Sequence, residues 1–475
     1  MIDNNFFIGG ATIGAVLLFL PCVVEAGEKP EDGRPDIILI MTDQQTLGAM
    51  SFLGNPYLST SAMDALASDA LSLTRAYCPF PLSGPSRAAL MTGLMPVQTG
   101  ATDNDIRPSD ASMRFGLGLR LKKAGYECLY AGKWHVTELN VPDNAGFRKV
   151  CDTNDPILAQ ECSGALDSRD KSKPLFLVAS FLDPHEICEF ARDEALHYGP
   201  IGPFDTKDCP NLPSNFMPST YEAEAIRMEA LAAPRSHPSA NYSEDQWRRY
   251  LFAYYRLVER ADSYVGELLT VLKEKDLYDN SVVIFISDHG DGAAAHQWNQ
   301  KWALFEECIN VPLMIKAPGA VSGKGAVNRT ALSNTSLDVY STICDYAGVS
   351  LDKNIYKGLS LRPLVERKTG TLHDEVFVET YLSGIKTRGW SVIDGKYKYV
   401  IYNWFANNEM LYDLESDKGE MINLAVDKRY SDVLFSMRNK LYEWSLEVRD
   451  PRLPRILKAL TGSQGTESGH IDGNR

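Results

Sequence analysis

The chain has 475 residues, with 62 Asp and Glu against 48 Lys and Arg, for a formal net charge of −14. Apolar residues make up 44% and charged residues 23%, which provides a core and excludes a disordered, collagen-like or coiled-coil chain. The acidic balance argues against a dedicated nucleic-acid binder, yet a local positive pocket for a small anion remains compatible with it.

In chain order, the first feature is an apolar run over residues 6–24, with the small-residue pattern Val24-Glu25-Ala26 at its end. It reads as a secretory signal over residues 1–26, with an uncleaved anchor or a lipid-modified Cys22 as rivals. No later segment approaches the apolar length of a membrane span, so the expected product is exported, periplasmic or extracellular, without a membrane span after signal removal. Of nine cysteines, Cys151, Cys162, Cys188 and Cys209 lie in loop-like sequence, where they stay as structural thiols or pair as disulfides. No CxxC metal pattern occurs.

Four apolar runs without alternation follow, at residues 36–41, 126–130, 175–181 and 281–286. They lead into Thr42-Asp43-Gln44-Gln45, Gly132-Lys133-Trp134-His135, Asp183-Pro184-His185-Glu186 and Ser287-Asp288-His289-Gly290-Asp291 respectively. Such runs are strands buried on both faces, as in a parallel sheet covered by helices. Open α/β sheets bind ligands outside the carboxyl ends of their strands, so four reactive ends predict one shared pocket. Between the first two runs, Ser83-Gly84-Pro85-Ser86-Arg87 and an Ala-rich stretch ending at Thr92-Gly93 describe a short helix. Ser83 at its start is either a cap or an oxygen nucleophile among backbone N–H groups.

Residues 190–241 are rich in Pro and polar side chains and read as an insertion over the pocket. Residues 244–275 carry a helical apolar face, with a capping box at Ser243 and Gln246. Beyond residue 371, strands at 390–393, 397–402 and 410–414 and a helix at 432–449 predict a small antiparallel sheet with a closing helix. The domain scheme is therefore 27–370 for a catalytic α/β domain, 371–460 for a C-terminal α+β unit, and a polar, disordered tail at 461–475.

Asp43, Gln44 and Asp288 offer hard oxygen ligands, which with His289 suit Ca²⁺ or Mg²⁺ better than a structural zinc. Four of the eight histidines, His135, His185, His289 and His296, fall in the segments after strands, as proton transfer near neutral pH requires. Arg87, Lys133 and Lys301 supply fixed positive charge for an anionic ester. Trp298, Trp390 and Trp404 are either core or platforms for a sugar.

The Ser83-x-Pro85-Ser86-Arg87 motif with its Ala-rich helix and Thr92-Gly93 resembles the signature of type I sulfatases, formylglycine-dependent members of the alkaline phosphatase superfamily. The resemblance runs from residue 36 to about 424. Gly132-Lys133-Trp134-His135 is similar to the second signature, and Ser287-Asp288-His289-Gly290-Asp291 with Lys301 to the metal-and-sulfate segment. Asp394-Gly395-Lys396-Tyr397-Lys398 and Leu411-Tyr412-Asp413-Leu414 resemble the small C-terminal domain. The resemblance implies an α/β fold with a large, mostly parallel central sheet between helices, plus a small antiparallel sheet with a helix.

It further implies that a maturase accepting Ser oxidises Ser83 to formylglycine. Ca²⁺ or Mg²⁺ would be held by Asp43, Gln44, Ser83, Asp288 and His289, with Gln44 departing from the second Asp of many members. Arg87 and Lys133 would hold the modified side chain, while Lys301 and His185 grip the sulfate. His185 would protonate the leaving oxygen, with His296 the alternative acid, and His135 would take the proton that lets sulfate depart. The function implied is sulfate removal from a sulfated saccharide, with a glycosaminoglycan fragment as the first expectation. Alternatives are a phosphodiesterase or phosphonate monoester hydrolase on the same scaffold, and a carbohydrate-binding homologue without chemistry. Gln44 favours the last, and the retention of His135, His185 and Lys301 weighs against it.

Overall fold

The computed structural model describes residues 33–136, 143–319, 325–366 and 372–461. Its strands are β1 (Asp36–Asp43), β2 (Leu71–Leu73), β3 (Ala76–Tyr77), β4 (Glu127–Gly132), β5 (Arg148–Cys151), β6 (Leu175–Pro184) and β7 (Ser281–Ser287). They continue with β8 (Leu313–Lys316), β9 (Ala326–Asn328), β10 (Ser333–Asn334), β11 (Val376–Leu382), β12 (Thr387–Ile393), β13 (Tyr397–Tyr402) and β14 (Glu409–Asp413).

The four apolar runs become β1, β4, β6 and β7, adjacent in an eight-stranded sheet of order β5-β4-β6-β1-β7-β8-β2-β9. The pairs among β5, β4, β6, β1 and β7 are parallel, and β8 alone runs antiparallel to both its neighbours. Leu39 sits opposite Val178 on one side and Ile284 on the other. Successive residues of β1 serve opposite faces. Ile37, Leu39 and Met41 join a core with Ala88, Leu90 and Tyr340, whereas Ile38 and Ile40 join one with Leu158, Val265 and Leu268. Burial on both faces explains why these strands read as unbroken apolar sequence.

The helix over Glu244–Glu274 starts at the expected capping box, with Gln246 N donating to Ser243 Oγ and Ser243 N to Gln246 Oε1. Its apolar stripe covers one face of the central sheet. The second sheet is antiparallel, in the order β11-β12-β13-β14, and the Ser431–Glu447 helix packs on it through Leu434, Met437 and Leu441. Strand β11 has no counterpart in the sequence reading because Glu379 and Thr380 interrupt its apolar pattern, yet both are buried. The sheets are joined where Glu379 N donates to Pro79 O and Thr380 Oγ1 to Trp302 O.

The expected signal segment, the 461–475 tail beyond Thr461, and the boundary near residue 370 lie outside the described residues. Of the alternatives for cysteine, the structure has thiols: Cys151, Cys162, Cys188 and Cys209 are free, as are the other four described cysteines. Among the described residues no helix is long and apolar enough to cross a membrane.

Candidate active site

Because β1, β4, β6 and β7 run parallel, their reactive ends share one edge of the sheet. The Ser83–Thr92 helix is buried along its whole length and is closed by Gly93 at φ 70°. Leu82, not Ser83, is the capping residue, so the Ser83 hydroxyl is spared from capping. Asn104 Oδ1 accepts from Gly84 N instead, at 2.9 Å. Ser83 Oγ thereby faces Asp43, 3.3 Å from Oδ2 and 3.4 Å from Oδ1, and lies 3.0 Å from His289 Nε2.

Asp43, Asp288 and His289 present ligand atoms within 4.8 Å of one another, all buried. His289 Nδ1 lies 2.8 Å from Gly290 O. A carbonyl only accepts, so Nδ1 carries the hydrogen and Nε2 turns its lone pair to the cluster. Asp43 Oδ1 and Asp288 Oδ1 stand 3.8 and 3.7 Å from that nitrogen, while both Oδ2 atoms are taken by Arg87. Two carboxylate oxygens, an imidazole lone pair and the Ser83 hydroxyl therefore converge, a donor set that fits a divalent cation.

Arg87 is the organising cation. Its guanidinium donates to Asp288 Oδ2 (2.7 Å), Asp43 Oδ2 (2.9 Å), Lys133 O (2.8 Å) and Ser180 Oγ (2.8 Å). Lys133 Nζ reaches Asp43 Oδ2 at 2.6 Å. Burial alone would raise the Asp43 carboxyl, but Lys133, His185 and Arg87 hold it well below the usual carboxylate range. The turn that delivers Lys133 needs Gly132, which has φ 88° and where a Cβ would sit 2.0 Å from Ser180 O.

Gln44 is clamped between opposite charges. Its Nε2 donates to Asp291 Oδ2 at 2.8 Å, and its Oε1 accepts from Lys301 Nζ at 3.0 Å. Asp291, held by Tyr250 and Gln44 and raised by burial to about 6, has no role in the sequence reading, although the Ser287–Asp291 motif contains it. Ser180 was hidden inside an apolar strand and gave no signal.

His185 is partly buried, and burial with Lys301 and Lys133 holds its imidazole well below the usual range. His135 is pushed to about 3 by burial, Lys133 and Arg87, and its Nδ1 has no partner. The expected residues Asp43, Gln44, Ser83, Arg87, Lys133, His135, His185, Asp288, His289 and Lys301 are thus mutually connected by contacts or charge.

His296 is the exception. Its ring lies flat on Phe305 at 4.0 Å, and the charges acting on it are Arg227 and Lys398 instead of Lys133 and Lys301. It groups with Glu307 and Glu420, which corrects its expected place on the sulfate or the leaving group. The left-handed backbone at Ala294, His296 and Gln297 redirects side chains that are close in sequence. Of the three candidate sugar platforms, Trp298 and Trp390 are core at 1% exposure, while Trp404 is 65% exposed.

The chain resembles known proteins over nearly its full length. A hexuronate-2-O-sulfatase acting on Δ4,5 units, from Bacteroides thetaiotaomicron, is 29% identical over 88% of this chain and 90% of its own. An N-acetylglucosamine-6-O-sulfatase of the same organism is 26% identical, covering 89% and 88%. The solved structure of a 2-O GAG sulfatase aligns with a TM-score of 0.78 and 27% identity, over 89% of this chain and 96% of that one. A phosphonate monoester hydrolase of Agrobacterium radiobacter shares the fold alone, with a TM-score of 0.69 at 22% identity over 88% and 95%. The C-terminal family of N-sulphoglucosamine sulphohydrolase matches residues 294–447. The sulfatase family matches residues 35–349, more than half the chain, and the protein belongs to it: a sulfuric ester hydrolase of alkaline-phosphatase-like fold.

Proposed function

We propose that this chain removes sulfate from a sulfated saccharide, a glycosaminoglycan fragment before others, after export from the cell. The observation that carries the reading is the Ser83 hydroxyl, 3.0 Å from a lone pair of His289 and flanked by Asp43, inside a ring of Arg87, Lys133 and Lys301. The names of the B. thetaiotaomicron relatives support a saccharide substrate.

Asp43, Asp288, His289 and position 83 would hold Ca²⁺ or Mg²⁺, and Gln44 would join only through the oxygen that already accepts from Lys301. When bound, that ion polarises sulfate oxygens and favours an ionised hydroxyl at position 83. A maturase accepting Ser would oxidise the Ser83 side chain to formylglycine, whose hydrate offers one hydroxyl to attack sulfur and a second to lose its proton afterwards.

The remaining steps belong to side chains of the chain itself. Arg87 and Lys133 fix Asp43 and the nucleophile, so little reorganisation accompanies the attack. Lys301 and His185 neutralise the sulfate. A sulfate-ester monoanion between them offsets part of the charge of the two lysines that keep the imidazole neutral, so His185 gains a proton more readily when substrate is present and can pass it to the leaving oxygen. His135, neutral with an unpartnered Nδ1, takes the proton from the second hydroxyl. The 190–241 segment would shape the sugar site: its His237 packs 5.6 Å from Trp302, next to Lys301. Domains at 27–370 and 371–460 belong to the same reading.

The test is mass spectrometry of the Ser83 peptide from protein made in a host with a Ser-type maturase, with rates on sulfated mono- and disaccharides and on aryl phosphodiesters. Loss of two hydrogens with dominant sulfate release is expected. Full activity with unmodified Ser83, or faster phosphodiester turnover, overturns the reading.

A further inference from the structure

We propose that His296, Glu307 and Glu420 form a second, buried divalent-cation site, separate from the Ser83 cluster and suited to Zn²⁺. A ring nitrogen of His296 and one carboxylate oxygen from each glutamate lie within 4.8 Å of one another. His296 is 0% exposed and Glu420 1%. Neither ring nitrogen of His296 has a hydrogen-bond partner, and Glu307 Oε2 and Glu222 Oε1 lack one as well, while Glu420 Oε1 is held by the Lys398 ammonium at 2.7 Å. Glu222 Oε1 stands 3.8 Å from His296 Nδ1, a further donor next to the group. Buried polar atoms normally find partners, and four orphans at and beside one histidine point to a missing shared partner.

Charge leads to the same conclusion. Arg227 pairs with Glu222 at 2.6 Å, and Lys398 sits between Glu306 (3.1 Å) and Glu420 (2.7 Å). The four carboxyl groups of Glu222, Glu306, Glu307 and Glu420 thus share two cations, and Glu307 is ion-paired to neither. A divalent cation would supply the positive charge that these carboxyls outnumber and give the orphaned atoms a partner. One imidazole with carboxylates favours a borderline ion such as Zn²⁺ over Ca²⁺, which prefers oxygen alone.

An ion has a route in, because Ala295, Glu306 and Glu307 also line a cleft of about 960 Å³. The site would join three parts of the chain. His296 lies just before Lys301, and Glu420 follows β14 of the small sheet. Asn215, in the insertion, donates to Glu307 Oε1 at 2.9 Å and accepts from His296 N at 2.7 Å. Its role is that of a clamp for the segment carrying Lys301, without contact with the reacting ester.

The experiment uses the full chain, stripped of metal, saturated with Ca²⁺ and titrated with Zn²⁺, with retained metal measured by mass spectrometry after gel filtration. Wild type should keep about one Zn²⁺ alongside Ca²⁺, with a higher melting temperature. X-ray absorption at the zinc edge should show nitrogen and oxygen ligands without sulfur. Glu420→Gln should weaken Zn²⁺ retention by roughly tenfold or more. Asp288→Asn should lose Ca²⁺ yet keep Zn²⁺. Absence of Zn²⁺ from folded wild type, sulfur in the absorption spectrum, or loss of Zn²⁺ on Asp288→Asn overturns the proposal. Where Glu420→Gln does not fold, the wild-type spectrum and stoichiometry decide alone.

Discussion

Arg87→Met removes four hydrogen bonds at once, to Asp43, Asp288, Lys133 O and Ser180 Oγ. Asp43 keeps Lys133 at 2.6 Å, but Asp288 Oδ2 loses its 2.7 Å ion pair in a site of about 1% side-chain exposure. Stranding one buried carboxylate costs about 3–5 kcal/mol, a large share of the ~5–15 kcal/mol by which folded chains exceed unfolded ones. The same substitution leaves the Asp43–Asp288–His289 donors more negative. A bound cation should therefore hold the variant more tightly than wild type, and each tenfold gain in affinity repays about 1.4 kcal/mol of the loss at saturating ion. Urea unfolding by near-ultraviolet circular dichroism, in chelator and in Ca²⁺, reads both quantities. Arg87→Lys keeps the charge, but an ammonium has fewer donors than the four acceptors require and should cost about 1–3 kcal/mol. Arg87→Met within about 1 kcal/mol of wild type in chelator would refute the ion-pair argument. Equal penalties in chelator and in Ca²⁺ would refute the placement of the cation.

Lys301→Ala, which removes the ammonium 3.0 Å from Gln44 Oε1, should lower kcat/KM on a sulfated saccharide by roughly 10²–10³. An unchanged value excludes Lys301 from the sulfate site. His185→Ala should cost roughly 10²–10⁴ on a sugar sulfate but far less on 4-nitrophenyl sulfate, whose leaving group needs no proton. Equal losses on both substrates would remove His185 from the role of acid. Glu379, 2% exposed, has its carboxyl raised by burial from 4.5 to about 8. Between those values the folded chain keeps a proton that the unfolded chain releases. Its stability contribution is full below the unfolded pKa and is lost as pH rises through the folded one, by at most about 1.4 kcal/mol per pH unit. Glu379→Gln stays neutral and should flatten the stability–pH curve in that window; parallel curves for the two proteins would refute the assignment.

The sequence alone carried the two-face burial of β1, β4, β6 and β7, because a strand covered on both sides leaves no room for alternating polar residues. It also carried the Ser243 capping box and the Ser83–Thr92 helix, which rest on contacts a few residues apart. Ten of the expected site residues could be found because each follows a buried strand, starts that helix or, like Lys301, completes a recognised motif. Only the tertiary structure decided that the four strands are neighbours, since their order depends on how the crossover helices pack. It alone showed that Leu82 is the capping residue, leaving the Ser83 hydroxyl turned to Asp43, and that Arg87 joins the ends of β1, β4, β6 and β7 through one guanidinium. Strand β11 was hidden because Glu379 and Thr380 look solvent-facing until another layer covers them. His296 is five positions from Lys301, yet it serves another group, because left-handed residues at Ala294, His296, Gln297 and Gln300 turn the chain where no periodicity can be read.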